Sequence, residues 1–264
     1  MEIFMFGFLN KGLFVYLFEN NTFTAFSWQF YLCYFGFIFI SIVAAYLLGS
    51  INSAILISKV LYGDDIRKHG SGNAGLTNML RTYGKGAAGL TLLGDMLKTA
   101  IAITIAGALM GFNYMKAISV NEGWCYMAGL FAVLGHIFPI YYGGKGGKGV
   151  LVTATMALIL SPIPFAVLLL IFILIVAVTK YVSLGSVVGA IFYPVVVNGY
   201  FMINGARPHF ILILCTILLA ILVVWCHREN LKRIGERTER KLSFRKKDVE
   251  VKASPKKSLH EDEE

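Results

Sequence analysis

The sequence has 264 residues, of which 57% are hydrophobic and 15% are charged. Soluble domains carry roughly 25% charged residues, so a water-soluble fold of this size could not bury so much apolar surface. Residues 30–48 and 210–225 contain no charged side chain and approach the roughly 20 residues with which a helix crosses a bilayer. The composition therefore predicts an all-α membrane protein.

The net charge of +9 does not indicate a nucleic-acid partner. Half of the lysines and arginines follow Trp225, in a tail that also contains many acidic residues. Such a distribution is better explained by orientation in a lipid bilayer, and we expect no nucleic acid to bind.

The cysteines lie within or beside apolar segments and show no CxxC spacing, at Cys33, Cys125, Cys215 and Cys226. We therefore expect ordinary helix residues, with no metal site and no disulfide, and we expect no cofactor. The first residues lack the basic cluster of a signal peptide, so no cleavage is expected.

Seven apolar segments follow one another along the chain, at about 30–59, 87–110, 124–142, 150–161, 163–181, 184–203 and 209–226. We expect seven transmembrane helices in a domain of residues 30–230. An N-terminal extension of residues 1–29 is expected at the membrane interface, and residues 231–264 are expected to form a charged, flexible tail.

Basic residues collect in alternate connections between these segments. The loops at 59–85 and 145–148, the connection at Lys180 and the tail are basic, whereas the intervening connections hold only Lys116 and Arg207. Because positively charged loops remain in the cytoplasm, the N-terminus is predicted outside and the C-terminus inside.

The first basic loop reads GSGNAGLTN at residues 70–78 and is followed by Arg81. Its glycines permit close backbone approach, Ser71, Thr77 and Asn78 add hydrogen bonds, and a guanidinium offers a planar fork to phosphate. The loop is either a phosphate cradle or a polar turn between two spans, and Arg81 favours the cradle.

The second basic loop reads GGKGGKG at residues 143–149, immediately before a helix. Backbone donors, two ammonium groups and a helix N-terminus are the ingredients of an anion site. A Walker A loop needs Ser or Thr after its lysine, and Gly149 follows Lys148, so nucleotide hydrolysis is weakly supported. The alternative, a flexible connector, does not explain the paired lysines.

Two further polar patches border the same predicted membrane face. Ser183 and Ser186 begin the sixth span, and HREN at residues 227–230 ends the seventh. Taken alone, the serines are expected as helix caps, and His227 and Arg228 as interfacial anchors. The topology nevertheless places all four patches together.

Asp95 and Lys98 lie three residues apart in the second span. They are expected to form an internal ion pair that lowers the cost of both charges. His136, near the end of the third span, is expected to make helix contacts rather than to perform chemistry.

These motifs, in this order, resemble those of the bacterial acyl-phosphate:glycerol-3-phosphate acyltransferases, the PlsY family. Residues 70–78 resemble its GSGNxGATN motif, with Leu76 in place of the usual Ala. GHIFPI at 135–140 and residues 143–150 are similar to its GHxFPVF and KGGKGVAT stretches, with Leu151 in place of Ala. LGSI, DMLK, YVSLGS and HREN, at 48–51, 95–98, 181–186 and 227–230, also match. The resemblance covers about residues 45–235 and implies a seven-helix fold.

By position, the resemblance implies that glycerol 3-phosphate is held by Arg81, Lys148, Ser186, His227 and Asn230, with Ser71 beside them. The expected catalytic residues are His227, Lys148 and Ser71. The full set of expected substrate-binding residues is Ser71, Gly72, Asn73, Thr77, Asn78, Arg81, Gly144, Gly146, Gly147, Lys148, Ser186, His227 and Asn230.

The reaction implied by the resemblance moves a fatty acyl group from acyl-phosphate to the 1-hydroxyl of glycerol 3-phosphate, the first step of phospholipid synthesis. It takes place at the cytoplasmic face of a bacterial cell membrane, and contact with the enzyme that forms acyl-phosphate is a further expectation. Because the donor is already activated, the enzyme must chiefly position two phosphorylated substrates and stabilise an oxyanion. Either His227 or a substrate phosphate oxygen takes the proton.

Other classes of function fit less well. Acyltransferases that use thioester donors resemble one another in an HxxxxD motif, which this sequence lacks. A transporter of an organic phosphate is the main alternative, but it needs ionisable groups near the membrane midplane, and only Asp95 and Lys98 are candidates. A noncatalytic scaffold does not explain four polar patches on one side.

Cysteine labelling tests the predicted topology. In a background without the four native cysteines, we expect Lys145→Cys and Lys252→Cys to resist a membrane-impermeant thiol reagent in intact cells, and Asn204→Cys to react. All three should react after permeabilisation. Labelling of the first two positions in intact cells would contradict the topology.

Overall fold

The structure, a computed structural model, describes residues 12–111 and 122–242. Within these two ranges the chain forms helices and no strands. The α-helices are α1 Leu13–Glu19, α2 Trp28–Ser50, α3 Ser53–Tyr62, α4 Leu76–Thr82, α5 Lys85–Met110, α6 Glu122–Ile137, α7 Val150–Leu160, α8 Pro162–Thr179, α9 Val182–Ile203, α10 Phe210–Cys226 and α11 Arg228–Gly235. Two short 3₁₀ helices occur at Ile66–Lys68 and Ile140–Tyr142. The predicted all-α class is confirmed.

Each of the seven predicted apolar segments is helical, but not every one is a full-length span. By length and composition, five stretches can cross a bilayer: α2 with α3, α5, α6 with the turn to Tyr142, α8 and α9. Helix α10 joins them only when it is counted with α11, from which it is bent by 52°. Helix α7 has 11 residues and is too short to cross alone. The described residues thus hold five or six candidate spans and one short apolar helix.

Local sequence signals set the helix ends that bring the loops to one end of the bundle. Asn52 interrupts the first span, and its side-chain oxygen accepts the N–H of Ile55 at 3.0 Å, which starts α3. Gly63 ends α3 in the left-handed conformation. Pro162 starts α8, because a proline at the first helical position loses no intrahelical hydrogen bond. Helices α7 and α8 therefore form a hairpin whose open end carries the second loop.

Helix α2 packs closely against α6 through two glycines. A Cβ atom at Gly49 would lie 2.2 Å from the carbonyl oxygen of Ala132, and one at Gly135 would lie 2.2 Å from that of Tyr46. Small residues at such crossings let helix backbones approach each other in a membrane. The crossing fixes the last turn of α6, where the second loop begins.

The predicted ion pair in the second span is confirmed. Lys98 Nζ lies 2.8 Å from Asp95 Oδ1, and both side chains are buried. Ser53 donates to the same carboxylate oxygen at 3.0 Å, and Lys98 also reaches the carbonyl of Ile51 at 2.8 Å. His136 Nδ1 lies 2.9 Å from Lys98 Nζ, so this histidine makes helix contacts, as the sequence indicated.

The division of the chain into residues 1–29, 30–230 and 231–264 remains a prediction. Residues 1–11 and 243–264 lie outside the described residues. Helix α1 packs on α2 and α5, with Phe14 in an aromatic cluster that includes Phe30. The predicted start of the tail at residue 231 falls inside α11, and residues 236–242 continue against the loops described next.

Candidate active site

A cavity of about 670 Å³ opens where the loops meet. Its polar end is lined by residues of all four sequence patches: Ser71, Asn73, Thr77, Asn78, Arg81, Lys148, Ser183, Ser186, His227 and Asn230. Its other end runs between α7, α8 and α9 and is lined mainly by apolar and aromatic side chains, among them Ala157, Phe165, Leu168, Phe172 and Tyr193. The structure therefore brings the patches together at one site that continues into an apolar passage.

Asn78 organises the first loop from the inside. Its side-chain oxygen accepts the N–H of Ser71 at 3.0 Å, and its NH₂ group donates to the carbonyls of His69 at 3.0 Å and Asn73 at 3.1 Å. Asn78 is buried, so these bonds shape the loop as a unit. A Cβ at Gly70 would lie 2.2 Å from the Asn78 oxygen, which explains the glycine there.

Two of the three glycine amides on which the cradle hypothesis depends form hydrogen bonds within the first loop. The N–H of Gly72 donates to the carbonyl of His69 at 2.9 Å, and that of Gly75 donates to Asn73 at 3.0 Å. Gly72 does not line the cavity. The side chains of Ser71 and of the half-buried Arg81 line the cavity, together with the backbone of Gly70 and Gly75. Burial and the positive charge of Arg240 lower the pKa of Arg81.

The glycines of the second loop hold the end of α6. The N–H groups of Gly144, Gly146 and Gly147 donate to the carbonyls of Pro139, Ile137 and His136 at 3.0, 3.0 and 3.1 Å. The orphan carbonyls at a helix end need such partners. None of these three glycines lines the cavity. They were expected to bind substrate, but in the structure they support the loop instead.

Lys148 is the charged residue that this loop contributes to the cavity, beside Gly149. Its ammonium group donates a hydrogen bond to the side-chain oxygen of Asn230. Burial lowers the pKa of Lys148 to about 8, although the negative charge of Glu239 opposes this shift. Because a nearby negative charge favours the charged form of a lysine, an additional anion would stabilise the ammonium form of Lys148. Lys145, by contrast, is exposed and does not line the cavity.

Ser183 and Ser186 are not helix caps, and that alternative is wrong. Helix α9 follows Tyr181, and no side chain caps it. Ser183 donates to Glu239 at 2.8 Å, and Ser186 donates to the carbonyl of Val182 at 2.9 Å. Both side chains are buried and line the cavity.

His227 lies at the bend between α10 and α11. It is buried, whereas its neighbour Arg228 is exposed and stacks on Trp225 as an anchor would. The Nδ1 atom of His227 lies 2.7 Å from the carbonyl oxygen of Val223, so this nitrogen carries the proton and Nε2 is the acceptor. Burial lowers the pKa of His227 to about 4, so the ring is neutral at pH 7.

Glu239 is a site residue that the sequence reading missed. Its carboxylate accepts hydrogen bonds from Asn230 at 2.7 Å, Ser183 at 2.8 Å and Arg233 at 2.8 Å. Burial raises the pKa of Glu239, but these donors outweigh burial and hold the pKa below its ordinary value. The sequence marks Glu239 only as one charge in a mixed tail, so no local signal identified it.

Comparison with known proteins identifies the family of this chain. Residues 39–237 match the glycerol-3-phosphate acyltransferase family. The chain is 41% identical over 215 residues to the glycerol-3-phosphate acyltransferase of Clostridioides difficile (strain 630), an alignment that covers 80% of this chain and 98% of that protein. The enzyme of the same name from Bacillus subtilis (strain 168) is 37% identical, with 77% and 96% covered.

A solved structure has the same fold. PlsY, an integral membrane glycerol 3-phosphate acyltransferase in its glycerol 3-phosphate form, superposes with a TM-score of 0.67 at 32% identity, over 78% of this chain and 96% of that one. Its lysophosphatidic acid form gives a TM-score of 0.64 at 29% identity. Because the family match covers most of the chain, the transporter and scaffold alternatives give way to an enzyme. The chain belongs to the glycerol-3-phosphate acyltransferase family, and it is a multi-pass membrane acyltransferase.

Proposed function

We propose that this enzyme transfers a fatty acyl group from acyl-phosphate to the 1-hydroxyl of glycerol 3-phosphate, giving lysophosphatidic acid and inorganic phosphate. The observation that carries the proposal is a single cavity that joins a cationic polar end to an apolar passage. The phosphate groups of the two substrates need the cationic polar end, and the acyl chain needs the apolar passage beside it. The ligand-bound forms of the solved PlsY structure, with glycerol 3-phosphate and with lysophosphatidic acid, support this choice of acceptor and product.

The polar end has the charge that phosphate binding requires. Among the described residues it is lined by the cations Arg81, Lys148, Arg233 and Arg240 and by one acidic partner, Glu239. The other acidic residue of the lining, Asp95, is buried and paired with Lys98. Guanidinium and ammonium groups form charge-assisted hydrogen bonds with phosphate oxygens that are roughly twice as strong as neutral ones. Ser71, Ser186 and Asn230 add neutral hydrogen-bonding groups. Glycerol 3-phosphate is expected between Arg81 and Lys148, with its hydroxyls toward His227.

The apolar passage suits an acyl chain. Leu168 and Phe172 of α8 face α9, where Gly189 contributes no side chain and a Cβ there would meet no atom within 4 Å. The missing side chain leaves a path past the helix toward Tyr193. Moving a methylene group from water into apolar surroundings is worth about 0.8 kcal/mol, so the passage lets the reacting end reach the polar site while the acyl chain stays out of water.

The chemistry is an acyl transfer that needs positioned charges more than a strong acid. The 1-hydroxyl oxygen attacks the carbonyl carbon, the bond from that carbon to the phosphate oxygen breaks, and inorganic phosphate leaves with the bonding electrons. The hydroxyl proton goes to a phosphate oxygen or to the Nε2 atom of His227. Lys148 and Arg81 stabilise the negative charge that develops in the transition state. Of the two proton acceptors we favour the phosphate oxygen, and assign His227 to substrate binding.

We place the polar end of the site at the cytoplasmic face of a bacterial cell membrane. The support is that the loops which carry Arg81, Lys148 and Asn230 are the basic ones. With the N-terminus outside and the C-terminus inside, α7 completes a set of seven segments as the short member of a hairpin with α8. This orientation also presents the polar end to an enzyme that delivers acyl-phosphate.

An assay with two donors tests the proposed reaction. Purified protein with radiolabelled glycerol 3-phosphate should form labelled lysophosphatidic acid from palmitoyl-phosphate and none from palmitoyl-coenzyme A, because the cavity is expected to bind a phosphate leaving group. Activity with the thioester alone would contradict the proposed donor. Product with neither donor would remove the proposed function altogether.

Substitution of the two loop lysines separates a ligand from general positive charge. We expect Lys148→Ala to lower kcat/KM by at least about tenfold, the effect of losing one charge-assisted hydrogen bond. Lys145→Ala, the matched control, should change it by less than about twofold because an exposed charge is screened. Equal, mild losses in both variants would refute a ligand role for Lys148.

The pH profile provides a second readout for Lys148. Its pKa of about 8 lies below the ordinary lysine value, so the charged form is lost as the pH rises through 8. The kcat/KM of the wild type should fall over that range. Lys148→Arg, if it folds, should move the fall to higher pH because a guanidinium remains charged.

The role of His227 can be decided by separating KM from kcat. His227→Gln keeps a hydrogen-bonding side chain but cannot act as a base. If His227 binds the acceptor, the variant should raise the KM for glycerol 3-phosphate and keep part of the turnover. A general base would instead lower kcat by about 10²–10⁴-fold at saturating substrate. A fall of that size without weaker substrate binding would contradict the binding role.

A further inference from the structure

Arg67 lies between the two loops of the site but outside the cavity. It is the middle residue of the 3₁₀ helix Ile66–Lys68 that precedes the first loop. Its Nη1 atom donates to the carbonyl of Tyr142 at 2.9 Å and to that of Lys145 at 3.1 Å. One guanidinium group therefore connects the first loop segment to the backbone of the second.

Asp65 fixes the orientation of this guanidinium. The Nε atom of Arg67 donates to Asp65 Oδ1 at 3.0 Å, and Nη2 donates to Oδ2 at 2.7 Å. The backbone N–H of Arg67 also donates to Oδ1 at 3.0 Å. The Arg67 hydrogen bond lowers the pKa of Asp65 to about 2, so the carboxylate remains charged over the working range of pH. Because Nε and Nη2 of the guanidinium group bind Asp65, the remaining nitrogen Nη1 is directed at the second loop.

The backbone around Arg67 is tied to the residues that shape the first loop. Ile66 is fully buried, and its N–H donates to Ser58 at 3.2 Å. The carbonyl of Ile66 accepts from the Asn78 side chain at 3.3 Å, and the same amide group organises the backbone at Ser71. A shift of Arg67 relative to Ser71 would break these bonds.

The contacts at the other end lie close to Lys148. Lys145, whose carbonyl Arg67 binds, precedes it by three residues. Gly146 and Gly147 hold one side of this segment on the end of α6, and Arg67 holds the opposite side through Lys145 and Tyr142. The described segment from Tyr142 to Lys148 is thus fastened from two directions.

We propose that the Asp65–Arg67 pair is a positioning clamp that sets the location of Lys148 relative to Ser71 and Arg81. Arg67 touches no substrate, because it lies outside the cavity lining. It acts by keeping two loops in register, so that one phosphate group meets ligands from both. A displacement of about 1 Å at such a site is enough to cost roughly a hundredfold in rate. The inference rests on the proposed role of Lys148 as a phosphate ligand.

The test compares Arg67→Ala with Lys68→Ala in the full-length enzyme. Lys68 is the neighbouring residue of the same 3₁₀ helix, carries the same charge and is exposed, so it is the matched control. We expect Arg67→Ala to raise the KM for glycerol 3-phosphate by about tenfold or more, with a smaller change in kcat. Arg67→Lys should resemble Arg67→Ala, because one ammonium group cannot bind Asp65 and two carbonyls in the fork geometry. Lys68→Ala should behave as the wild type.

The pH profile distinguishes a positioning role from simple loss of folded protein. Lys148 is faced by Glu239, Arg233, Arg81, Cys226 and His227, and it is largely buried. If the clamp holds Lys148 there, its release in Arg67→Ala should move the alkaline fall of kcat/KM above pH 8, toward the ordinary lysine range. Loss of folded protein would scale the whole profile without moving it.

Several outcomes decide the proposal. A wild-type KM and an unmoved alkaline fall in Arg67→Ala would overturn the clamp, as would an equal change in Lys68→Ala. If Arg67→Ala does not accumulate as folded protein, the same measurements on Arg67→Lys and Asp65→Asn decide in its place. The donor used is the one that supports wild-type turnover, so a wrong acyl donor shows in the wild type and a wrong clamp shows only in the variants.

Discussion

The carbonyl groups in the last turn of α6 cannot find partners inside their own helix, and the geometry of the site depends on how they are satisfied. The second loop supplies the missing N–H groups from Gly146 and Gly147, and Gly144 bonds the carbonyl of Pro139 in the turn that follows. It must pass so close that a Cβ at Gly146 would lie 2.0 Å from the carbonyl oxygen of His136, so a side chain is excluded there. The loop is consequently a rigid cap rather than a flexible connector. Its rigidity determines where Lys148 enters the cavity, and with it the hydrogen bond to Asn230.

From Lys148, a chain of polar contacts extends across the bundle. Asn230 bonds both Lys148 and Glu239, and Glu239 also bonds Ser183 and Arg233. Partly buried cations are costly without an anion nearby, and Glu239 supplies one for Arg233 and Lys148. Burial lowers the pKa of Lys148, so a phosphate dianion would restore the charge that burial disfavours. Substrate binding and protonation of this lysine are therefore expected to be coupled.

The sequence predicted the helical segments and the location of the site because both leave local signals. Hydrophobic runs, helix breaks at Asn52 and Pro162, and glycine-rich polar loops can all be read without tertiary contacts. The hydrogen-bond partners of a residue cannot be read in this way, because many of them lie in segments far apart in the chain. A glycine permits close approach but does not say what approaches, so the amides of the second loop that cap α6 resembled an anion site. For the same reason the sequence did not indicate that Glu239 and Arg67 belong to the site or its support. Their hydrogen-bond partners lie up to 78 residues away, as in the bond from Arg67 to Lys145.

The short helix α7 shows why the polar site and the apolar passage can meet. A helix that crossed the whole bilayer would place its two ends about 30 Å apart, one at each membrane surface. Helix α7 has only 11 residues, begins directly after Lys148, and lines the cavity from Val150 to Ala157. Its N-terminus directs the positive end of the helix dipole at the polar pocket, while its side chains face the passage. An acyl group lying along α7 would therefore place its polar, reacting end near the positive helix terminus and its chain among apolar side chains. The length of this one helix accommodates both requirements of the proposed reaction.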